Sequence, residues 1–206
     1  MGCVCNSDSV KQKKNDPSYN QNFEPFNAQN SCTLTTFTEK NIDLERMREL
    51  ELAEHNRLRS LHGAPPLSLN PELNEMAQKY AQVLAKKKQM QHSNEKDRYL
   101  KGREGEWVGE NLYYSWATPV LEYKCGNMSR SWYNEINDYD FNTGRSKNGK
   151  AVGHFTQLVW KDSKEVGFGI GFNGDTLIGV ANYYPGGNFN NLELQNVGKY
   201  KKLIII

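Results

Sequence analysis

The sequence predicts an α+β layered domain: helical periodicity comes first, strand periodicity comes later, and a tight turn joins the two longest strands into an antiparallel pair. Apolar residues recur at helical spacing between residues 42 and 84, alternate strictly between residues 165 and 172, and return after Asn173-Gly174. A chain of 206 residues suits one domain of about 150 residues plus a tail.

The first helix is expected from Ile42. Met47, Leu50, Ala53, Leu58 and Leu61 fall on one side, and the helix stops at Gly63 ahead of Pro65-Pro66. In a second helix, Asn70 is the N-cap, Pro71 takes the first helical position and Glu72 the first turn. Leu73, Met76, Ala77, Tyr80, Ala81 and Leu84 make its core stripe, and Lys86, Lys87 and Lys88 complement the dipole at its end. His92 to Gly109 is polar and reads as a loop. A third helix is expected from Thr118-Pro119 to about Tyr139, with Gly126-Asn127 weakening its first half. Its second half puts Met128, Trp132, Ile136 and Tyr139 on one face, with Glu135 beside it, where a carboxylate is costly unless paired.

From His154 the period reads as strand, with Thr156, Leu158 and Trp160 on the parity of His154. Val166, Phe168, Ile170 and Phe172 then alternate with Glu165 and three glycines. Asn173-Gly174 is a hairpin signal, and Thr176 to Tyr184 returns as the partner strand.

The formal net charge is +2, from 26 basic and 24 acidic residues, which argues against nucleic acid as a partner. No run reaches the roughly 18 to 20 apolar residues of a spanning helix. Residues 1–40, rich in Asn, Ser, Gln and Lys, read as a flexible tail; 41–198 form the domain, and 199–206 a short basic-apolar end. The start lacks an apolar h-region, so no cleaved signal peptide is expected. The four cysteines, Cys3, Cys5, Cys32 and Cys125, make no disulfide framework and fit a reducing compartment.

Gly2 follows Met1, as N-myristoylation requires, although Asn6 stands where the usual pattern has Ser or Thr. Cys3 and Cys5 sit where palmitate often follows, and Lys11, Lys13 and Lys14 add a basic cluster. One myristoyl chain binds membranes marginally, and a second lipid with basic residues makes attachment stable. The expected partner is therefore membrane lipid, at a cytoplasmic face of an internal or plasma membrane.

By spacing alone, metal and nucleophile signals are weak among His55, His62, His92 and His154. His55 reads as a structural histidine, and His62 as a charge complementing the first helix's C-terminus. Trp107, Tyr113, Tyr114 and Trp116 read as core aromatics, with a ligand groove as the alternative.

Five ordered motifs then carry a resemblance. They are His55-Asn56-Arg57-Leu58-Arg59, Gly109-Glu110-Asn111-Leu112, Trp132-Tyr133-Asn134-Glu135, the run from Gly153 through His154 to Ser163, and the run from Val180 to Phe189. Together they resemble the CAP superfamily (cysteine-rich secretory, antigen 5 and pathogenesis-related proteins). The scarce cysteines and the Met-Gly start make the chain most similar to the Golgi-associated, intracellular pathogenesis-related branch. The resemblance implies a three-layer α-β-α sandwich with a central antiparallel sheet and a wide cleft. It implies His92, Glu110, Glu135 and His154 in that cleft, a ligand set that suits zinc with room for water. It implies lipid (sterol or fatty acid) or a protein as ligand, and a homodimer as an assembly. A metal-dependent hydrolase, with Glu110 or Glu135 as general base, is the alternative activity. A secreted, defence-type extracellular protein is the alternative setting.

Overall fold

The computed structural model describes residues 35–117 and 121–200. The chain divides into two units, Met1–Ser31 and Cys32–Ile206. The first lies outside the described residues, as do Gly2, Cys3, Cys5 and the end beyond residue 200.

Helix α1 (Leu44–Ser60) starts where Asp43 accepts the Arg46 amide at 3.0 Å, and α2 (Pro71–Lys87) starts at Asn70, whose side chain accepts the Glu72 and Leu73 amides. A two-residue strand β1 (Thr36–Phe37) precedes α1, and β2 (Ser68–Leu69) separates the helices. β1 lies inside the stretch read as tail: it pairs with β4 (Tyr123–Lys124), and Phe37 is buried.

β5 (Tyr139–Asp140) and β6 (Arg145–Ser146) form a separate short antiparallel pair, and the main sheet has the order β2-β7-β8-β3, with β3 at Gly109–Trp116, β7 at Glu165–Asn173 and β8 at Thr176–Tyr184. The β7–β8 hairpin turns at Asn173-Gly174 as expected, and Gly174 takes the left-handed φ of 61° that this turn needs. β3 pairs antiparallel with β8, while β2 runs parallel to β7, so the antiparallel centre has one short parallel edge.

The strict alternation in β7 has a physical purpose. Val166, Phe168 and Ile170 enter the large core with α1, whereas Gly167, Gly169 and Gly171 lie under α2. A Cβ on those glycines would sit 2.1 Å from the Leu73 backbone, 2.3 Å from Ala77 and 2.4 Å from Ala81. α2 therefore rests directly on the sheet backbone through its own i, i+4, i+8 row. On the other face pack α1, α3 (Asn127–Tyr133) and α4 (Gly153–Leu158), which completes the α-β-α layers.

Several expectations are corrected. The third helix is short: Tyr123–Lys124 is a strand, α3 begins at Asn127 after Gly126 (φ 82°), and a 3-10 turn continues it over Asn134–Asp138. Thr118 and Pro119 lie outside the described residues. His154 is on α4, not on a strand; Phe155, Thr156, Gln157 and Leu158 are all buried, which masks the helical period. Ala53 is exposed, and the buried side of α1 instead carries the row Glu51, His55 and Arg59. Hydropathy could not see that stripe because its members are polar and satisfied internally. Arg59 donates to the carbonyls of Pro65, Leu158, Trp160 and Ser163 at 2.8–3.1 Å.

Candidate functional site

Strand β3 was not expected from the sequence, yet it organises the site. Its pairing with β8 places Glu110 and Asn111 on opposite faces of the sheet, since successive strand residues alternate. β3 is also an edge strand, with β8 on one side only.

On the α2 face, the Glu110 carboxylate is 1% exposed and gathers donors from the preceding loop. It accepts the Ser93 amide at 3.0 Å, the Ser93 hydroxyl at 2.7 Å and Arg98 at 3.1 Å, and it holds His92 Nδ1 at 2.8 Å. Burial pushes this carboxyl up, but the hydrogen bonds from His92 and Ser93 and the Arg98 charge outweigh it and hold the pKa below the usual value. Arg98 lies over the Trp107 ring at 5.2 Å. The His92 ring itself is 57% exposed.

A second pair forms on the other side of β3. Glu135, on the 3-10 turn after α3, accepts the His154 and Phe155 amides at 2.9 and 3.1 Å and holds His154 Nδ1 at 2.7 Å. The residue before α4, Val152, offers no capping side chain, so Glu135 caps this helix from outside. Trp132 stacks on the His154 ring at 6.4 Å and donates Nε1–H to the Leu112 carbonyl at 2.7 Å. The Asn111 carboxamide donates to the His154 carbonyl at 3.0 Å.

The four expected residues thus form two His–Glu pairs, joined by β3 through the consecutive Glu110 and Asn111. In each pair Nδ1 faces a carboxylate. With Nδ1–H as donor, the neutral ring keeps its Nε2 lone pair for a ligand. Among the described residues, no three His, Cys, Asp or Glu side chains gather as a metal cluster. Sequence reasoning missed Ser93, Arg98 and Asn111, although Ser93 and Asn111 directly follow His92 and Glu110.

The remaining histidines are structural. His55 contacts Ser129 Oγ at 2.7 Å and Tyr183 OH at 2.8 Å, and burial and then the Arg59 charge lower its pKa to about 3. The reading of His62 as a charge complementing the C-terminus of the first helix is corrected. It is buried, bonded to the Gly198 carbonyl and the Tyr133 hydroxyl, and burial lowers its pKa against the pull of the carbonyl. Trp107 and Tyr113 are partly buried, whereas Tyr114 and Trp116, on the edge strand β3, are exposed.

An α-β-α sandwich whose edge strand binds one His–Glu pair and tethers another through neighbouring side chains defines the class of domain to which this chain belongs. The match to the family described as CAP, the cysteine-rich secretory protein family, covers residues 52–183, more than half of the chain, and the chain belongs to that family. It is 38% identical over 142 residues to human Golgi-associated plant pathogenesis-related protein 1, covering 68% of this chain and 83% of that protein. It is 37% identical over 154 residues to human cysteine-rich secretory protein 2, covering 72% of this chain but only 59% of that protein. Among solved structures, BmVAL-1 aligns with a TM-score of 0.57 at 22% identity over 80% of this chain and 86% of that one. NaASP2 with Zn2+ aligns at 0.51 and 21% over 77% and 86%. Both support the fold.

Proposed function

We propose that this chain is a membrane-peripheral CAP-domain binding protein whose cleft takes a zinc ion on the Nε2 atoms of His92 and His154. The observation that carries the reading is the shared geometry of the two pairs. Each imidazole is fixed through Nδ1 by a carboxylate that itself has further donors, the arrangement that orients histidine ligands and raises their basicity. Zinc with two protein nitrogens keeps positions for water or a ligand group. In this reading His92 and His154 are the ligands, while Glu110 and Glu135 orient them.

Binding is favoured over hydrolysis by the state of the carboxylates. Glu110 accepts from Ser93 twice, from Arg98 and from His92, and Glu135 accepts from two amides and His154. Neither is poised to take a proton from water. The ligand class is a lipid, sterol or fatty acid, or a partner protein. Attachment to a cytoplasmic membrane face would come from acyl groups on Gly2 and on Cys3 or Cys5. A relative that is Golgi-associated by name fits that setting, and secreted relatives in the same family supply the extracellular alternative.

Calorimetry with zinc on the wild type and on His92→Ala/His154→Ala tests the cleft. Heat should vanish in the double variant, and equal heats would remove the site. Gly2→Ala should move the protein from membranes to the soluble fraction, and retention on membranes would remove the anchor.

A further inference from the structure

The polar stripe of α1 is wired to the cleft. Glu51 is wholly buried; its carboxylate accepts the Tyr123 hydroxyl, the Gly126 amide and, at 2.5 Å, lies against Ser129 Oγ. The same Ser129 Oγ is 2.7 Å from His55 Nδ1, His55 Nε2 is 2.8 Å from Tyr183 OH, and that hydroxyl is 3.2 Å from Asn111 Nδ2. Asn111 Nδ2 also donates to the His154 carbonyl. One continuous chain of hydrogen bonds therefore runs from Glu51 through Ser129, His55, Tyr183 and Asn111 to the backbone of His154. It links five elements: α1, α3, β8, β3 and α4.

Donor counting fixes its direction. Asn111 Nδ2 can only donate, so it gives a proton to the Tyr183 oxygen. If His55 carried its proton on Nε2, the Tyr183 oxygen would receive two donors and its own hydrogen would find no acceptor among these groups. Every member is satisfied only when Tyr183 donates to His55 Nε2, His55 Nδ1–H donates to Ser129, and Ser129 donates to Glu51. The surroundings hold the imidazole in place for this: Phe168 and Trp132 meet the His55 ring edge-on at 5.0 and 6.0 Å. Trp132 is also the residue stacked on His154.

We infer that Glu51, Ser129, His55, Tyr183 and Asn111 form a directional positioning relay that locks His55 as the Nδ1–H tautomer and fixes the His154 backbone, setting how well the cleft holds its cation. Its last clause rests on the zinc reading above; the tautomer and the fixing of His154 do not. Asn111 is the joint, because its amide nitrogen serves Tyr183 and His154 together. Loss of the Tyr183 hydroxyl removes one of its two acceptors and frees the carboxamide to rotate.

Three measurements on the full chain test this. Long-range proton–nitrogen spectra of the 15N-labelled wild type should report His55 protonated on Nδ1; an Nε2–H pattern would overturn the relay. Tyr183→Phe, which keeps the ring and its packing, should speed hydrogen exchange at the His154 and Phe155 amides about tenfold while leaving amides of α2 unchanged. Unchanged exchange at residues 154 and 155 would show that the chain does not reach the cleft. Zinc affinity should fall about tenfold in Tyr183→Phe, the low end of what outer partners of histidine ligands contribute. Undiminished affinity would overturn the link to the cation. A wild type that binds no zinc would sink the proposed function and that clause, while the spectra and exchange still judge the relay. Should Tyr183→Phe fold poorly, Asn111→Ser offers a second break at the joint with the same readouts.

Discussion

Acid should unfold this protein through His55, a buried histidine outside the two His–Glu pairs. His55 stays neutral in the fold, with a pKa lowered from 6.5 to about 3 because its ring is wholly buried and Arg59 adds a like charge. In the unfolded chain the same ring gains a proton near its ordinary pKa of about 6.5. The unfolded state therefore binds more protons below that point, and stability falls as pH falls. The limiting slope is about 1.4 kcal/mol per pH unit for one proton, so a drop from pH 6.5 to 4.5 removes about 3 kcal/mol and the full window about 5 kcal/mol. Glu51 acts in the opposite sense: burial raises its pKa against the hydrogen bonds of Ser129, Tyr123 and Gly126, so the fold gains its proton first and stability rises as pH falls. Glu51 is present in wild type and in His55→Gln alike, and its Tyr123 and Gly126 donors do not involve His55, so the difference between the two chains reports chiefly the imidazole. Urea unfolding at intervals between about pH 7 and 4.5 should give a slope shallower by close to one proton in His55→Gln. Equal slopes in the two proteins would refute the claim that His55 is held neutral by burial.

Other perturbations test the packing and the site. Gly169→Val should cost about 3 kcal/mol or more in urea unfolding, because the new side chain meets the backbone of Ala77, which cannot move aside; a near-neutral effect would mean that α2 lifts freely from the sheet. Glu110→Gln should cost about 3–5 kcal/mol, since it leaves the buried Arg98 guanidinium without its carboxylate, and should weaken zinc binding; unchanged stability would remove Glu110 as the anchor of the loop. Arg59→Met should cost about 3–5 kcal/mol by leaving four carbonyls without their donor, read as a fall in the urea midpoint.

Much of the fold was legible because local chemistry and tertiary packing agree there. α2 shows this best: Asn70, Pro71 and the apolar stripe act within the helix, so their meaning does not depend on the rest of the chain. The β7–β8 hairpin was equally plain, since Asn173-Gly174 and strict alternation are local signals. β3 escaped because its first half, Gly-Glu-Asn, is polar; those side chains serve the site, and only Leu112, Tyr114 and Trp116 hint at a strand. α4 was taken for a strand because burial on all sides erases a helical period.

The sequence by itself determined the N-cap of α2, the β7–β8 hairpin and, through its motifs, the α-β-α fold, and it singled out His92, Glu110, Glu135 and His154 as candidates for one site. Tertiary structure decided how those four are used: each histidine is matched with one glutamate across a gap of 18 or 19 residues, a pairing that no spacing rule encodes. It also decided that a helix face bearing Glu51, His55 and Arg59 lies inward. Charge and polarity argue for exposure until partners are known, and the partners arrive only when β8, α3 and the loop after α4 fold against α1.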